Sequence, residues 1–247
     1  MTVQTIFDAL QQKAPLDLAE EWDNVGLLVG DRNAEVKTVV VALDATDAAL
    51  DRAIAEHADL IVTHHPVIFD PIKNVTADSK TYRLVKEGIS VISMHTNADK
   101  AVGGVNDCLC AKLGLSDVEI APDGMCRIGT LPASMTADVF ATYVAQCLDT
   151  AVRVKAGTDT IRTVVLCGGG GADLVLPLLD KADAALTGEA KHNQWLSVPS
   201  AKTLVDGGHY ATEIVITDRF CEWLCEAFPN LNIILYKDAA PYSTIEV

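Results

Sequence analysis

Apolar residues in the first half of the chain alternate between helical spacing and the continuous runs typical of buried strands. Val3, Ile6, Phe7 and Leu10 share one helical face, and Pro15 ends that helix. The predicted strands that follow are 39–43, 60–63 and 89–94, and the predicted helices are 46–57, 82–87 and 105–113. This order of strands and helices predicts parallel strands joined by right-handed crossovers.

The second half of the chain repeats this rhythm. The corresponding segments are 38–42 with 163–167, 58–63 with 182–187, and 91–94 with 203–205. Two copies of one β-α-β lobe explain the correspondence, and chance similarity of short apolar segments is the alternative. The other predicted elements are a strand over 126–131, a helix over 137–148, a helix over 212–228 and a strand over 231–236.

The turn sequence Ala121-Pro-Asp-Gly124 is the expected boundary between lobes. One lobe is expected to contain residues 1–125 with 206–247, because the final strand returns to it, and the other residues 126–205. The fold class is therefore α/β, with two similar lobes and mostly parallel sheets.

Composition agrees with this class. Of the 247 residues 49% are hydrophobic but only 5% are aromatic, which is typical of parallel sheets buried on both faces. No stretch approaches the roughly 18 apolar residues of a membrane span, and the first residues lack the features of a signal peptide. Seven cysteines without a C-x-x-C pair favour reduced thiols, and we expect a cytoplasmic protein.

The formal charge is −15, which disfavours nucleic acid as a partner because a phosphate backbone is repelled by such a surface. No membrane partner is expected either.

Candidate chemistry begins at the end of the strand 60–63, where His64 and His65 precede Pro66. The carboxyl edge of an open α/β sheet is where ligands bind, and imidazole is the commonest metal ligand among side chains. Adjacent strand residues point to opposite faces, so both histidines serve one site only if the chain leaves the strand here, which Pro66 favours.

Two further strand ends carry possible ligands. His95 and Asp99 follow one strand, where Asp99 is either a ligand or a helix N-cap and His95 either a donor beside the site or a core histidine. His209 and Glu213 follow another, either as half of a metal site on one helical face or as a capping turn with a surface glutamate. Three such ends at one sheet edge favour a metal centre, and this many donors suits two ions sharing a water or hydroxide.

Several other residues have two interpretations. Asp44 and Thr46 either orient the imidazoles or cap a helix. The run Gly168–Gly171 is a weak candidate for an anion-binding loop, and a tight turn or a close backbone approach is the alternative. Glu189 and His192 either line a substrate cleft or lie on the surface at a helix start.

Seven motifs occur in order along nearly the whole chain. They are 22–30 (WDNVGLLVG), 63–66 (THHP), 95–99 (HTNAD), 127–132 (RIGTLP), 167–170 (CGGG), 186–189 (LTGE) and 207–213 (GGHYATE). This combination resembles the family of GTP cyclohydrolase I type 2 homologues, also called Nif-three-like or YbgI-type proteins. The resemblance implies two interlaced α/β/α lobes, a dinuclear metal site and a toroidal homohexamer built as a trimer of dimers. It also implies the compact form, without the domain that longer relatives insert near Met125.

The resemblance further implies site residues. The metal ligands would be His64, His65, Asp99, His209 and Glu213, with Glu213 bridging two divalent ions of Zn, Fe, Mn, Ni or Co. Apart from the resemblance, Glu213 and His95 are the candidate catalytic residues, and either His95 or Glu189 is a candidate for carrying the proton. Asp44, Thr46 and Asn97 would support the ligands from behind.

The function expected from these observations is metal-dependent hydrolysis, with a metal-held hydroxide attacking the ring of a purine nucleotide or a similar small molecule. A non-catalytic metal-binding adaptor or regulatory protein is the competing hypothesis. A site that leaves room for substrate favours the enzyme.

Overall fold

A computed structural model describes residues 1–243 of the chain, which form a mixed α/β structure with two sheets. The helices are α1 (Val3–Lys13), α2 (Asp47–Ala55), α3 (Lys80–Glu87), α4 (Thr96–Lys100), α5 (Val105–Lys112), α6 (Ala137–Leu148), α7 (Ala172–Val175), α8 (His192–Ser197), α9 (His209–Glu213) and α10 (Val215–Ala227). The strands are β1 (Gly26–Val29), β2 (Thr38–Ala42), β3 (Leu60–Thr63), β4 (Ser90–Ser93), β5 (Ser116–Ile120), β6 (Arg127–Met135), β7 (Arg153–Lys155), β8 (Ile161–Cys167), β9 (Ala184–Thr187), β10 (Thr203–Asp206) and β11 (Asn232–Leu235). Within these residues no helix is both long enough and apolar enough to cross a membrane.

The chain divides into two compact units with boundaries that differ from the expected lobes. The first unit contains Met1–Gly104 and Ile216–Ala239, and the second contains Val105–Val215 and the segment that begins at Ala240. Residues 105–125 therefore belong to the second unit, because α5 packs in its core and β5 pairs with β6. Residues 206–215 also belong to it, since they continue directly from β10.

The first unit is built on a five-stranded sheet in the order β1-β4-β3-β2-β11. All of its pairings are parallel except that of β1 with β4, and β11 joins this sheet as expected. The core strands are rich in Val and Ile, and apart from Thr38 at the start of β2 all of their residues are buried, as expected of strands covered on both faces. The register aligns Ala42 with Thr63 and Thr63 with Ser93, so the carboxyl ends of β2, β3 and β4 lie side by side.

The second unit is built on a six-stranded sheet in the order β5-β6-β8-β9-β10-β7. Only β8, β9 and β10 are parallel, so the expectation of mostly parallel strands holds for the first sheet and not for this one. The turn Ala121–Gly124, expected to separate the lobes, instead joins the antiparallel strands β5 and β6. The amide of Gly124 donates to the carbonyl of Ala121 in that turn, and Gly124 has a φ of +75°.

The duplicated β-α-β pattern is visible in equivalent hydrogen bonds. The carboxylate of Asp59 accepts from the amides of Lys37 and Thr38 at the start of β2, and Asp183 accepts from Arg162 and Thr163 in β8. The two aspartates immediately precede corresponding strands of the two halves, β3 and β9. The repeat therefore extends from the apolar pattern to individual polar contacts.

The last predicted helix differs from the structure. A single helix was expected over 212–228, but Glu213 ends α9 and Val215 begins α10. The chain passes from the second unit to the first at this point. Helix α10 buries Phe220, Trp223 and Leu224, and Phe228, which follows the helix, is only partly buried.

Candidate metal centre

Three imidazoles of the first unit meet at the carboxyl edge of its sheet. His64, His65 and His95 each offer one ring nitrogen within 4.8 Å of the others, the arrangement of a possible metal site. The ring centroids of His64 and His65 are 5.0 Å apart, and that of His95 lies 5.1 Å from His64 and 5.5 Å from His65. His95 therefore belongs to the cluster itself and is not a separate core histidine.

The backbone after β3 explains how adjacent histidines reach one cluster. The amides of His64 and His65 both donate to the carbonyl of Leu43, at 3.1 and 3.0 Å, so the regular ladder ends at Thr63. Pro66 follows and cannot donate a ladder hydrogen bond. The chain leaves the strand here, as the sequence predicts, and the alternation of side chains is lost.

Each imidazole of the cluster has its Nδ1 against an oxygen acceptor. His64 Nδ1 lies 2.9 Å from the carbonyl of Met94, His65 Nδ1 lies 2.8 Å from Asp44 Oδ1, and His95 Nδ1 lies 2.8 Å from Asp23 Oδ1. Metal-binding histidines characteristically donate one ring N–H to a carboxylate or a carbonyl, which leaves the other nitrogen as the ligand. The pattern therefore points to Nε2 as the atom that His64 and His65 would offer to a metal, and it leaves the Nε2 side of His95 facing the same cluster.

Asp23 supports the histidine cluster through His95, and the sequence did not predict this contact. Its side chain is fully buried and accepts hydrogen bonds from His95 and from the amide and hydroxyl of Thr96. Burial tends to raise the pKa of this carboxyl, but the hydrogen bonds outweigh it and lower the pKa to about 2. A permanent negative charge thus lies behind His95. The only signal in the sequence was its place in the motif Trp22-Asp-Asn24.

Asp99 is placed as a ligand would be and not as a helix cap. His95 is the N-cap of α4, and Asp99 lies inside that helix. Asp99 Oδ1 is 3.7 Å from His64 Nε2, and the Asp99 side chain is largely buried. Two ligands of one ion are separated by roughly 3 to 4 Å when each bond is about 2.1 Å long, so this spacing fits shared coordination.

The three proposed supporting residues have different roles. Asp44 holds the ring of His65, which is the orienting role. Thr46 is the N-cap of α2 and donates to Asp238, so the helix-capping interpretation describes it. Asn97 is buried and donates to the carbonyl of Ala14 at 2.8 Å, which ties α4 to the end of α1.

The second unit carries the other two predicted ligands on α9. His209 Nε2 lies 2.9 Å from Glu213 Oε2, one helical turn away, and His209 Nδ1 lies 3.1 Å from Glu189 Oε1. His209 thus repeats the pattern of an anchored Nδ1. Glu213 is only 4% exposed, so it is not the surface glutamate of a capping turn.

The glycine run after β8 makes space for Glu213. A β-carbon on Gly169 would lie 2.0 Å from Glu213 Oε1, and one on Gly188 would lie 2.7 Å from the carbonyl oxygen of Gly169. Gly169 also has a φ of +57°, which other residues rarely adopt. The run therefore serves a close approach inside the second unit, the alternative to an anion-binding loop.

Glu189 and His192 separate in the structure. Glu189 follows β9 by two residues, as His65 follows β3, and it bonds His209. His192 is exposed at the start of α8, so the surface interpretation describes it.

The donor set fits a divalent transition metal. Imidazole nitrogens and carboxylate oxygens suit Zn, Fe, Mn, Ni and Co. The thiols differ, since burial raises the pKa of Cys110 and of Cys221 to about 12. Protonated thiols of this kind are poor ligands and nucleophiles.

Comparison with known proteins gives consistent matches over most of the chain. Residues 1–241 match the family Duf34/NIF3 (NGG1p interacting factor 3). A GTP cyclohydrolase 1 type 2 homolog of Methanocaldococcus jannaschii is 32% identical over 232 residues, covering 91% of this chain and 95% of the relative.

Solved structures agree. The reduced form of HcgD from Methanocaldococcus jannaschii has a TM-score of 0.83 at 29% identity, over 95% of this chain and 97% of its own. A Staphylococcus aureus protein has a TM-score of 0.89 at 24% identity, over 99% of both chains, and shows the same fold.

Proposed function

The chain belongs to the Duf34/NIF3 family, and from this premise we propose that it is a metal-dependent hydrolase of a purine nucleotide or a related heterocycle. The proposed substrate class follows the name of its relatives, GTP cyclohydrolase 1 type 2 homologs. The observation that carries the proposal is the anchoring of four imidazoles, each with its Nδ1 against an oxygen.

The proposed ligands are His64, His65, Asp99, His209 and Glu213, which would hold two divalent ions with Glu213 contacting both. Support comes from the donor chemistry of each unit. The first unit offers buried or half-buried imidazoles beside Asp99, and the second offers His209 beside a buried carboxylate.

The ions would supply Lewis-acid activation of water, the chemistry that hydrolysis of a heterocycle requires. The protein's own residues fix the donors. Asp44 and Glu189 hold the rings of His65 and His209 in one orientation, and the carbonyl of Met94 does the same for His64. Ligands held in this way lose little freedom on binding.

We propose that His95 carries the proton during turnover. Its Nδ1 is held by Asp23, which fixes the tautomer and leaves Nε2 as the exchanging atom. His95 is half-buried next to His64 and His65, where a transferred proton would arise.

The test combines metal analysis with a screen for turnover. The purified protein is loaded with each of the five candidate metals, and bound metal is measured by elemental analysis. Nucleotides including GTP are then assayed for ring opening and formate release. We expect about two ions per chain and turnover that a chelator abolishes.

A protein that holds its ions but turns over none of the nucleotides would instead support the adaptor hypothesis. His192→Ala is the matched control for variants of the other histidines, because His192 is exposed and outside the proposed ligand set. Its metal content and turnover should equal those of the unchanged protein.

A further inference from the structure

The second unit contains a cavity of about 440 Å³ whose wall includes Glu189, a hydrogen-bonding partner of His209. Arg153, Glu189, Lys191, Asp206, Gly208 and Tyr242 are among the residues that line it. Glu189 is the link, since the same carboxylate that faces the cavity bonds Nδ1 of His209. The volume falls within the range of roughly 300–1,000 Å³ that is typical of small-molecule sites.

Both carboxylates of the cavity are already engaged. Asp206 is buried and pairs with Arg153, and its oxygens also accept from the amides of Ala190 and Gly208, each at 3.0 Å. Glu189 faces His209. The charge of Asp206 is therefore compensated by Arg153, and Glu189 has a hydrogen-bonding partner in His209.

The cations keep donors for a ligand. Asp206 holds the guanidinium of Arg153, whose centre also lies 5.8 Å from the ring centroid of Trp195. The Arg153 side chain nevertheless remains 67% exposed, and a guanidinium has five N–H donors. Lys191 is exposed, and its ammonium forms no ion pair within residues 1–243. The guanidinium of Arg153 and the ammonium of Lys191 therefore belong to residues that line the same cavity. This is notable in a chain whose formal charge is −15.

We propose that this cavity binds the oxyanion group, phosphate or carboxylate, of the small molecule on which the neighbouring metal centre acts. Guanidinium binds such groups through two parallel hydrogen bonds, and ammonium adds a point charge. The proposal rests on the proposed function and names the part of the substrate that is recognised. It assigns Arg153 and Lys191 as specificity residues of the substrate and gives them no role in the chemical step.

The test measures binding and not turnover. Inorganic tripolyphosphate, citrate, GTP and guanosine are titrated calorimetrically into metal-depleted protein, so that no probe can bind through an ion. We expect GTP and tripolyphosphate to bind and guanosine to bind at least tenfold more weakly. Comparison of citrate with tripolyphosphate tells whether carboxylate or phosphate is preferred.

The variants separate charge from fold. Lys191→Gln should weaken tripolyphosphate binding about tenfold, and Lys191→Arg should restore most of it, since one charge contact is removed and returned. Lys181→Gln is the matched control, because Lys181 is an exposed lysine of the same unit that does not line the cavity. Arg153→Lys keeps the positive charge opposite Asp206 but loses the two parallel N–H donors of the guanidinium. It should therefore weaken tripolyphosphate binding.

Equal affinity for guanosine and GTP, or tripolyphosphate binding that Lys191→Gln leaves unchanged, would overturn the proposal. The result is independent of the proposed hydrolase activity. If GTP binds through Lys191 but is not turned over, the oxyanion site is supported and the hydrolase proposal is wrong. If GTP is turned over without a contribution from Lys191, the hydrolase proposal is supported and the oxyanion site is wrong.

Discussion

Glu213 Oε1 occupies the place beside Gly169 where any other residue would have its side chain. A β-carbon at position 169 would come within 2.0 Å of that oxygen and 3.2 Å of His209 Nε2. The two proposed ligands of the second unit, His209 and Glu213, therefore require glycine at position 169, in the loop that follows β8. Because the carboxylate is buried, it has little room to move aside.

Gly169→Ala should displace Glu213 and strain a backbone with φ of +57°. We expect a loss of stability of about 1–3 kcal/mol and a weaker affinity for metal. Urea denaturation and chelator competition measure the two effects. Gly170→Ala is the control, because nothing lies within 4 Å of a β-carbon there. Equal behaviour of the two variants would refute the steric role of Gly169.

Glu213→Gln should abolish stable binding of both ions while the chain stays folded. The amide keeps the volume of the carboxylate but loses the charge that a bridging ligand provides. Elemental analysis gives the ion content, and circular dichroism checks the fold. Two ions still bound per chain would show that Glu213 does not bridge them.

Asp44→Asn should weaken metal binding, because the amide is a poorer acceptor for the Nδ1–H of His65. Loss of such a partner costs about 10- to 100-fold in affinity in other metal sites. Competition with a chromogenic chelator measures it. Asp47→Asn is the comparison, since Asp47 is an exposed partner of Arg83 in the same region. Equal affinities in the two variants would contradict an orienting role for Asp44.

Asp23→Asn should make the free energy of unfolding less dependent on pH in the acid range. The pKa of Asp23 is about 2 in the folded chain against an ordinary value of 3.8, so ionised Asp23 stabilises the fold above pH 4. This contribution, on the order of 2 kcal/mol, is lost as the pH falls from about 4 to 2. Denaturation of metal-depleted protein at a series of pH values measures it. An unchanged pH profile in Asp23→Asn would show that this carboxyl does not contribute.

Asp59→Ala and Asp183→Ala should destabilise the chain to a similar extent, because each aspartate accepts from two backbone amides at the start of a repeated strand. The expected cost is about 1–3 kcal/mol for each, since two amides lose a charged acceptor. Metal content should not change. Urea denaturation tests the first statement and elemental analysis the second; a large effect of only one variant would argue against equivalent roles.

The helices and central strands were predictable because their signal is local. The spacing of apolar residues predicted α1, α6 and β3 almost to the residue. A helix with one buried face, or a fully buried strand, shows a pattern of apolar residues within a short stretch of sequence. Strands β1, β5 and β7 were not predicted. All residues of β5 are exposed and β7 has three residues, so neither has an apolar pattern to detect.

The boundary between the units could not be predicted from the sequence, for a related reason. The turn Ala121–Gly124 has the composition of a linker and of a hairpin turn alike, and only the pairing of β5 with β6 distinguishes them. Such pairing depends on contacts between segments that the local pattern does not specify.

The sequence by itself determined which donors are present and that they follow strand ends, because an apolar run stops where a strand leaves the core. Only the tertiary structure decided how those donors are oriented. The ring of His95 is held by Asp23, which lies 72 residues away in the sequence. The side chain of Glu213 fits only because the residue packed against it, Gly169, has no side chain. Both relationships join distant parts of the chain, and side-chain direction is fixed by hydrogen bonds and contact that exist only after folding.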